Sequence, residues 1–165
     1  MSIRTYVRCV LLSALIVLGL GGLLLHLRVH PVSQNPSNLV TVISGVLGIV
    51  LVPVLFGFKK TVPYGYVLNG FLVIVGTIVM AHYSIVRRPV SITLKSILLQ
   101  TTLADILILW AKFFVGKALF DLEFFGYDAT RPKKGVTYRY PHLGWWLIHF
   151  VLVALVYYLG HRLWR

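Results

Sequence analysis

The stretch that decides the fold is residues 68–84, LNGFLVIVGTIVMAHYS. Its seventeen residues contain no Asp, Glu, Lys or Arg, and a helix of ~20 apolar residues crosses the ~30 Å hydrocarbon core of a bilayer. Asn69, Thr77 and His82 stand among its apolar side chains. We therefore expect this stretch to form the centre of a membrane-spanning helix that also carries polar groups.

The composition of the whole chain agrees with this interpretation. Of 165 residues, 58% are hydrophobic and only 12% are charged, against about 25% charged residues in soluble domains. The net charge of +12 comes from Lys and Arg that mostly flank apolar runs, where they fix topology and contact anionic lipid head groups. The sequence therefore predicts a polytopic integral membrane protein. We expect no nucleic-acid partner, because no DNA- or RNA-binding motif accompanies the basic charge.

The apolar runs predict an all-α fold, a single bundle of five transmembrane helices, because lipid offers no partner for an unpaired backbone group. Four spans are the alternative, since the fourth run contains Asp105, Lys112 and Lys117 and would then lie at the interface. Segment 120–142 is predicted to be an extramembrane loop. The predicted spans are residues 6–27, 38–57, 63–85, 96–119 and 143–164.

The distribution of Lys and Arg predicts the orientation. With the N-terminus on the cytoplasmic side, the inner loops and ends hold nine basic residues and the outer ones six. The positive-inside rule therefore favours a multi-pass protein of a cell inner membrane with its N-terminus in the cytoplasm and its C-terminus on the opposite side.

Four histidines are expected near one membrane surface, because spans 1, 3 and 5 of a five-span bundle end on the same side. They are His26, His30, His82 and His161. Two histidines from facing helices are the axial ligands of a b-type haem, and His26 with His82 fits that requirement by depth. The pattern of these residues favours structural or interfacial side chains, and haem ligation, quinone contacts and a non-haem metal are the alternatives.

Asp105 is the second candidate. A carboxylate inside a span costs about 2.5–3.5 kcal/mol on insertion scales, so such residues face the bundle interior. Lys112 follows on the same helical face roughly 10 Å further along, so a group bridging the two, such as Asn69 or His149, would come from another helix. The pattern favours interhelical hydrogen bonding by Asp105, with Lys112 extending toward the interface, and the alternative is a proton or cation relay or a substrate contact.

Two further features concern contacts and partners. Small residues such as Ser44, Gly48 and Gly76 permit close approach of helices. Trp145 and Trp146 extend an aromatic belt that anchors the last helix at the head-group level. Besides the lipid bilayer and its anionic head groups, we expect a partner membrane protein or a second copy of the chain.

The sequence contains no phosphate-binding glycine loop, nucleophile elbow or closely spaced acidic pair, so we assign no catalytic residue. The single Cys9 provides neither an intrachain disulfide nor a thiolate metal site. The function predicted from the sequence is a non-catalytic subunit, anchor or assembly partner of a membrane complex. The alternatives are a haem- or quinone-binding redox subunit and a small transporter that uses Asp105.

Overall fold

The computed structural model describes residues 1–29, 38–86, 93, 103–126 and 142–163. Within these residues all regular structure is α-helical, as the sequence predicts. The described residues form five helices, namely α1 (Ile3–Val29), α2 (Asn38–Gly57), α3 (Val62–Val86), α4 (Leu103–Phe125) and α5 (Leu143–Leu163). The chain forms two compact units, residues 1–129 with α1 to α4 and residues 130–165 with α5.

The first unit is a ring of four helices. α1 packs on α2, α2 on α3, α3 on α4, and α4 on α1, so that α1 lies diagonally across from α3. Successive helices run in opposite directions, because the start of α1 meets the end of α2 and the end of α4. α2 and α3 are part of this ring as a hairpin of neighbouring helices that turns at Lys59 and Lys60.

Three helices are long and apolar enough to cross a membrane. Their apolar stretches are Ile3–Arg28, Leu39–Gly57 and Val62–Met80. α5 contains the shorter apolar stretch Leu143–Val153. Large apolar side chains on the outer faces of α1 and α2 are exposed, as at Val17 and Val50. This pattern agrees with helices embedded in lipid.

Aromatic side chains fill the end of the bundle where α1 begins. The ring of Tyr66 in α3 stacks on Phe120 of α4, with ring centroids 4.4 Å apart and an interplanar angle of 18°. Phe113 lies about two turns before Phe120 in α4, and its ring centroid is 6.3 Å from that of Tyr66. Phe56 of α2 is buried at the same level. Rings of this size exclude solvent from that end of the unit.

An ionic cluster, which we call the arginine clamp, covers these rings and consists of Arg4, Arg8 and Glu123. Arg4 Nη2 lies 2.7 Å from Glu123 Oε2, and Arg8 Nε lies 3.7 Å from Glu123 Oε1. Arg8 Nη2 also donates to the carbonyls of Phe56 and Gly57 at 3.1 and 2.5 Å. Because the last carbonyls of a helix have no intrahelical donor, this one side chain caps α2 and joins it to α1 and α4.

The clamp explains why α4 differs from the predicted fourth span. Of the predicted span 96–119, residues 96–102 lie outside the described residues. The helix continues to Phe125, through positions predicted as loop. Glu123 is paired in the clamp, and Asp121 pairs with Lys117 at 2.5 Å. Because the described helix begins at Leu103, Asp105 lies in the first turn of α4, whereas the sequence placed it within a span.

Candidate functional site

A cavity of about 50 Å³, which we call the polar cavity after the polar groups in its mostly apolar lining, lies between α1, α2, α3 and α4. At roughly 10–15 Å³ per water position, it offers room for about three to five water molecules or a small solute of similar size. Its polar lining consists of His26 from α1, Thr41 and Ser44 from α2, and Asp105 and Lys112 from α4. α3 contributes only apolar residues to the lining. The polar groups of α1, α2 and α4 therefore face an apolar wall across the cavity.

Asp105 is the most unusual member of this lining. It is 3% exposed, and neither carboxylate oxygen has a hydrogen-bond partner among the described residues. The nearest basic atom is His26 Nδ1, 3.8 Å from Asp105 Oδ2, which is beyond hydrogen-bond distance. A buried polar group without a partner costs about 1–3 kcal/mol. The carboxylate is therefore available to a group inside the cavity.

Lys112 enters the cavity through a slot made by two glycines. The residue is 4% exposed, and its Cε lies 3.7 Å from where a Cβ would stand on Gly19 of α1. A Cβ on Gly48 of α2 would collide with Lys112 Nζ. No carboxylate in the described part of the chain lies within 4.0 Å of this ammonium. The chain thus places a positive charge beside the cavity without a neutralising neighbour.

Asn69 fixes the helix that carries these groups and does not line the cavity. Its side chain is 0% exposed, and Asn69 Nδ2 donates to the backbone carbonyl of Lys112 at 3.4 Å. A Cβ on Gly116 would occupy the position of the Asn69 amide. Glycine at this position of α4 therefore lets α3 approach and reach the carbonyl.

Other glycines keep the helices close around the cavity. A Cβ on Gly45 of α2 would stand 2.9 Å from Leu23 Cδ1 of α1, and one on Gly76 of α3 would stand 2.7 Å from Leu109 Cδ1 of α4. The sequence indicated Gly48 and Gly76 as packing positions. The slot residue Gly19 and the cavity residue Thr41 were not singled out, although both belong to apolar helices in which small and hydroxyl residues favour contact between helices.

The predicted histidine group is only partly covered by the described residues. His26 is 1% exposed and lines the cavity. His82 has an exposed side chain on α3, which is diagonal to α1. His30 and the side chain of His161 lie outside the described residues. The haem ligation by His26 and His82 stays a prediction, which a reduced-minus-oxidised absorption spectrum of wild type and of each His→Ala variant would test.

His149 has contacts of its own within α5. Its ring stacks on that of Trp145 with centroids 3.7 Å apart, and His149 Nδ1 is 2.7 Å from the Trp145 carbonyl oxygen. The side chain is therefore held against the preceding turn of its own helix. Its predicted role as a bridging group for Asp105 stays a prediction.

The cavity combines a carboxylate, an imidazole, an ammonium and hydroxyls in a small space. Groups of these kinds are chemically able to bind a small polar molecule or to exchange protons. Among the described residues no group of three or more His, Cys, Asp and Glu is placed to hold a metal ion. No protein-family model, curated protein or solved structure matches this chain.

Proposed function

We propose that this protein is a small multi-pass transporter in which Asp105 is the group that binds and releases a proton. In this proposal α1 to α5 all cross an inner membrane, and the N-terminus lies in the cytoplasm. Three long apolar helices support membrane embedding, and the excess of basic residues on the N-terminal side supports the orientation.

One observation carries the proposal, which is the buried carboxylate of Asp105 with two unpartnered oxygens among the described residues. A structural acid inside a helical bundle is normally satisfied by hydrogen bonds or an ion pair. Asp105 has His26 Nδ1 at 3.8 Å, accepts no hydrogen bond among the described residues, and faces a cavity large enough for several water-sized groups. A carboxylate kept open to a small cavity is suited to exchange protons or to bind a cationic group.

Proton flux into proteoliposomes is the direct test. The purified protein is reconstituted with a pH-sensitive dye inside, and a potassium diffusion potential drives proton entry. We expect flux above that of empty liposomes and at least a tenfold loss in Asp105→Asn. Asp121→Asn is the matched control, because Asp121 is a carboxylate of the same helix that pairs with Lys117. Equal flux in wild type and Asp105→Asn would refute the proposal.

A second candidate is the non-catalytic subunit or anchor predicted from the sequence. It is favoured by α5, on which large apolar side chains are exposed along one broad face, including Ile148, Val151, Leu155 and Val156. Such a helix has surface for both lipid and a partner helix. Crosslinking in native membranes followed by purification tests this function. A partner recovered equally with wild type and Asp105→Asn, in the absence of flux, would favour it over transport.

A further inference from the structure

We propose that the polar cavity is a binding site for a small zwitterionic solute of the amino-acid class. Asp105 receives the ammonium group of the solute, and Lys112 receives its carboxylate. This inference rests on the proposed transport function, because it names the kind of molecule that the same cavity accepts.

The first argument is the pair of uncompensated charges. Asp105 has no hydrogen-bond partner on either oxygen among the described residues, and Lys112 has no carboxylate within 4.0 Å among them. Removing an ion from water without a partner costs several kcal/mol. A molecule with one charge compensates only one of the two groups, whereas a zwitterion compensates both and adds no net charge to the cavity.

The second argument is the distance between the two groups. Both line one cavity, and seven residues of helix place their Cα atoms roughly 10 Å apart along the axis. Lys112 Nζ lies against Gly48 of α2 and its Cε lies 3.7 Å from the Cβ position of Gly19 of α1, and no ion pair within 4.0 Å joins Lys112 to Asp105. The two charged groups are therefore too far apart for a direct ion pair and lie on one helix about two turns apart, a gap that a short amino acid with a hydrogen bond at each end can bridge.

The third argument is the rest of the lining. Thr41 Oγ1 is buried without a partner among the described residues and lines the cavity beside Asp105, so it can accept a second hydrogen bond from an ammonium. Leu72, Val73 and Met80 of α3 form the apolar wall. This wall suits a short methylene chain and offers nothing to a second polar substituent, so the site selects small, unbranched solutes.

Three probes of graded length test the site, namely glycine, β-alanine and γ-aminobutyric acid. Their binding to the full chain in nanodiscs is measured by isothermal titration calorimetry. Methylamine and acetate are the singly charged controls. We expect at least one zwitterion to bind tenfold or more tightly than either control, and Asp105→Asn to weaken that binding at least tenfold.

Gly48→Ala is the second variant, because it displaces the Lys112 ammonium without changing any charge. We expect it to weaken zwitterion binding at least tenfold as well. Gly21→Ala is its matched control, since a Cβ on Gly21 meets nothing within 4 Å. Far-UV circular dichroism confirms that each variant keeps its helices.

The outcomes separate this inference from the transport proposal. Binding of no zwitterion, or binding that neither Asp105→Asn nor Gly48→Ala weakens, overturns the inference. Asp105-dependent proton flux without zwitterion binding rejects the inference and leaves the proposed function standing. Zwitterion binding that depends on Asp105, without any proton flux, supports the inference and rejects proton transport.

Discussion

Replacing Arg8 tests the arginine clamp that closes one end of the bundle. Arg8→Gln removes the two hydrogen bonds that Arg8 Nη2 donates to the carbonyls at the end of α2 and one positive charge beside Glu123. Glu123 is the vulnerable partner, since its side chain is 1% exposed. Of the two arginines of the clamp, the variant keeps Arg4, whose side chain is 50% exposed and therefore partly screened by solvent.

The magnitude follows from the surroundings of each contact. The hydrogen bond to the Phe56 carbonyl is partly buried, and a bond from a charged donor in such a place contributes about 1.5 kcal/mol. The Gly57 carbonyl is exposed, so water replaces the donor and only ~0.5 kcal/mol is lost. Loss of the ion pair between Arg8 Nε and Glu123 Oε1, which are 3.7 Å apart, adds about 0.5–1 kcal/mol to the destabilisation. We expect a loss of about 2.5–3 kcal/mol in the free energy of unfolding, or a roughly 60- to 150-fold change in the equilibrium constant.

Reversible SDS unfolding in mixed micelles, followed by tryptophan fluorescence, measures this difference. Arg8→Lys separates geometry from charge, because lysine keeps the charge that orients the chain but presents no planar fork of donors. It should retain about half of the stabilisation. Arg28→Gln, at an exposed position near the end of α1, is the control. If Arg8→Gln costs no more than Arg28→Gln, the clamp does not stabilise the bundle.

The remaining predictions concern packing and topology. Gly116→Ala should destabilise the bundle by about 1–2 kcal/mol in the same assay, because its Cβ displaces the Asn69 amide from the α4 carbonyl. Phe120→Ala should cost about 3–4 kcal/mol through the lost stack on Tyr66, whereas Phe58→Ala, at an exposed position, should change stability by less than ~0.5 kcal/mol. Reporter fusions at the two termini should give opposite sidedness, and signals from the same side would contradict an odd number of spans.

Much of the helical architecture was predictable from the sequence. Long apolar helices with few residues buried inside the protein form without specific contacts to other helices. α1, α2 and α3 are continuous apolar runs, and their bounds lie within a few residues of the predicted spans. The end of α4 was not predictable in this way. Asp121 and Glu123 resemble loop residues until Arg4 and Arg8, more than a hundred positions away, are known to neutralise Glu123.

The candidate site was predicted residue by residue but not as an arrangement. His26, Asp105 and Lys112 were each singled out, because polar groups inside apolar helices are rare. Their meeting in one cavity depends on which faces of α1, α2 and α4 touch. That choice is made by glycines such as Gly19 and Gly48, whose partners lie on other helices. A single sequence carries no signal for such pairings between distant segments.

The glycine slot for Lys112 has a consequence for the biogenesis of the protein. α4 carries five charged residues and is the poorest of the four bundle helices for partitioning into lipid on its own. Its ammonium finds a place only after Gly19 and Gly48 stand side by side, which requires α1 and α2 to be already paired in the bilayer. We therefore expect the insertion machinery to retain α4 at its lateral exit until α1, α2 and α3 have assembled. The polar cavity is then closed by α4, the last of the four bundle helices to be inserted.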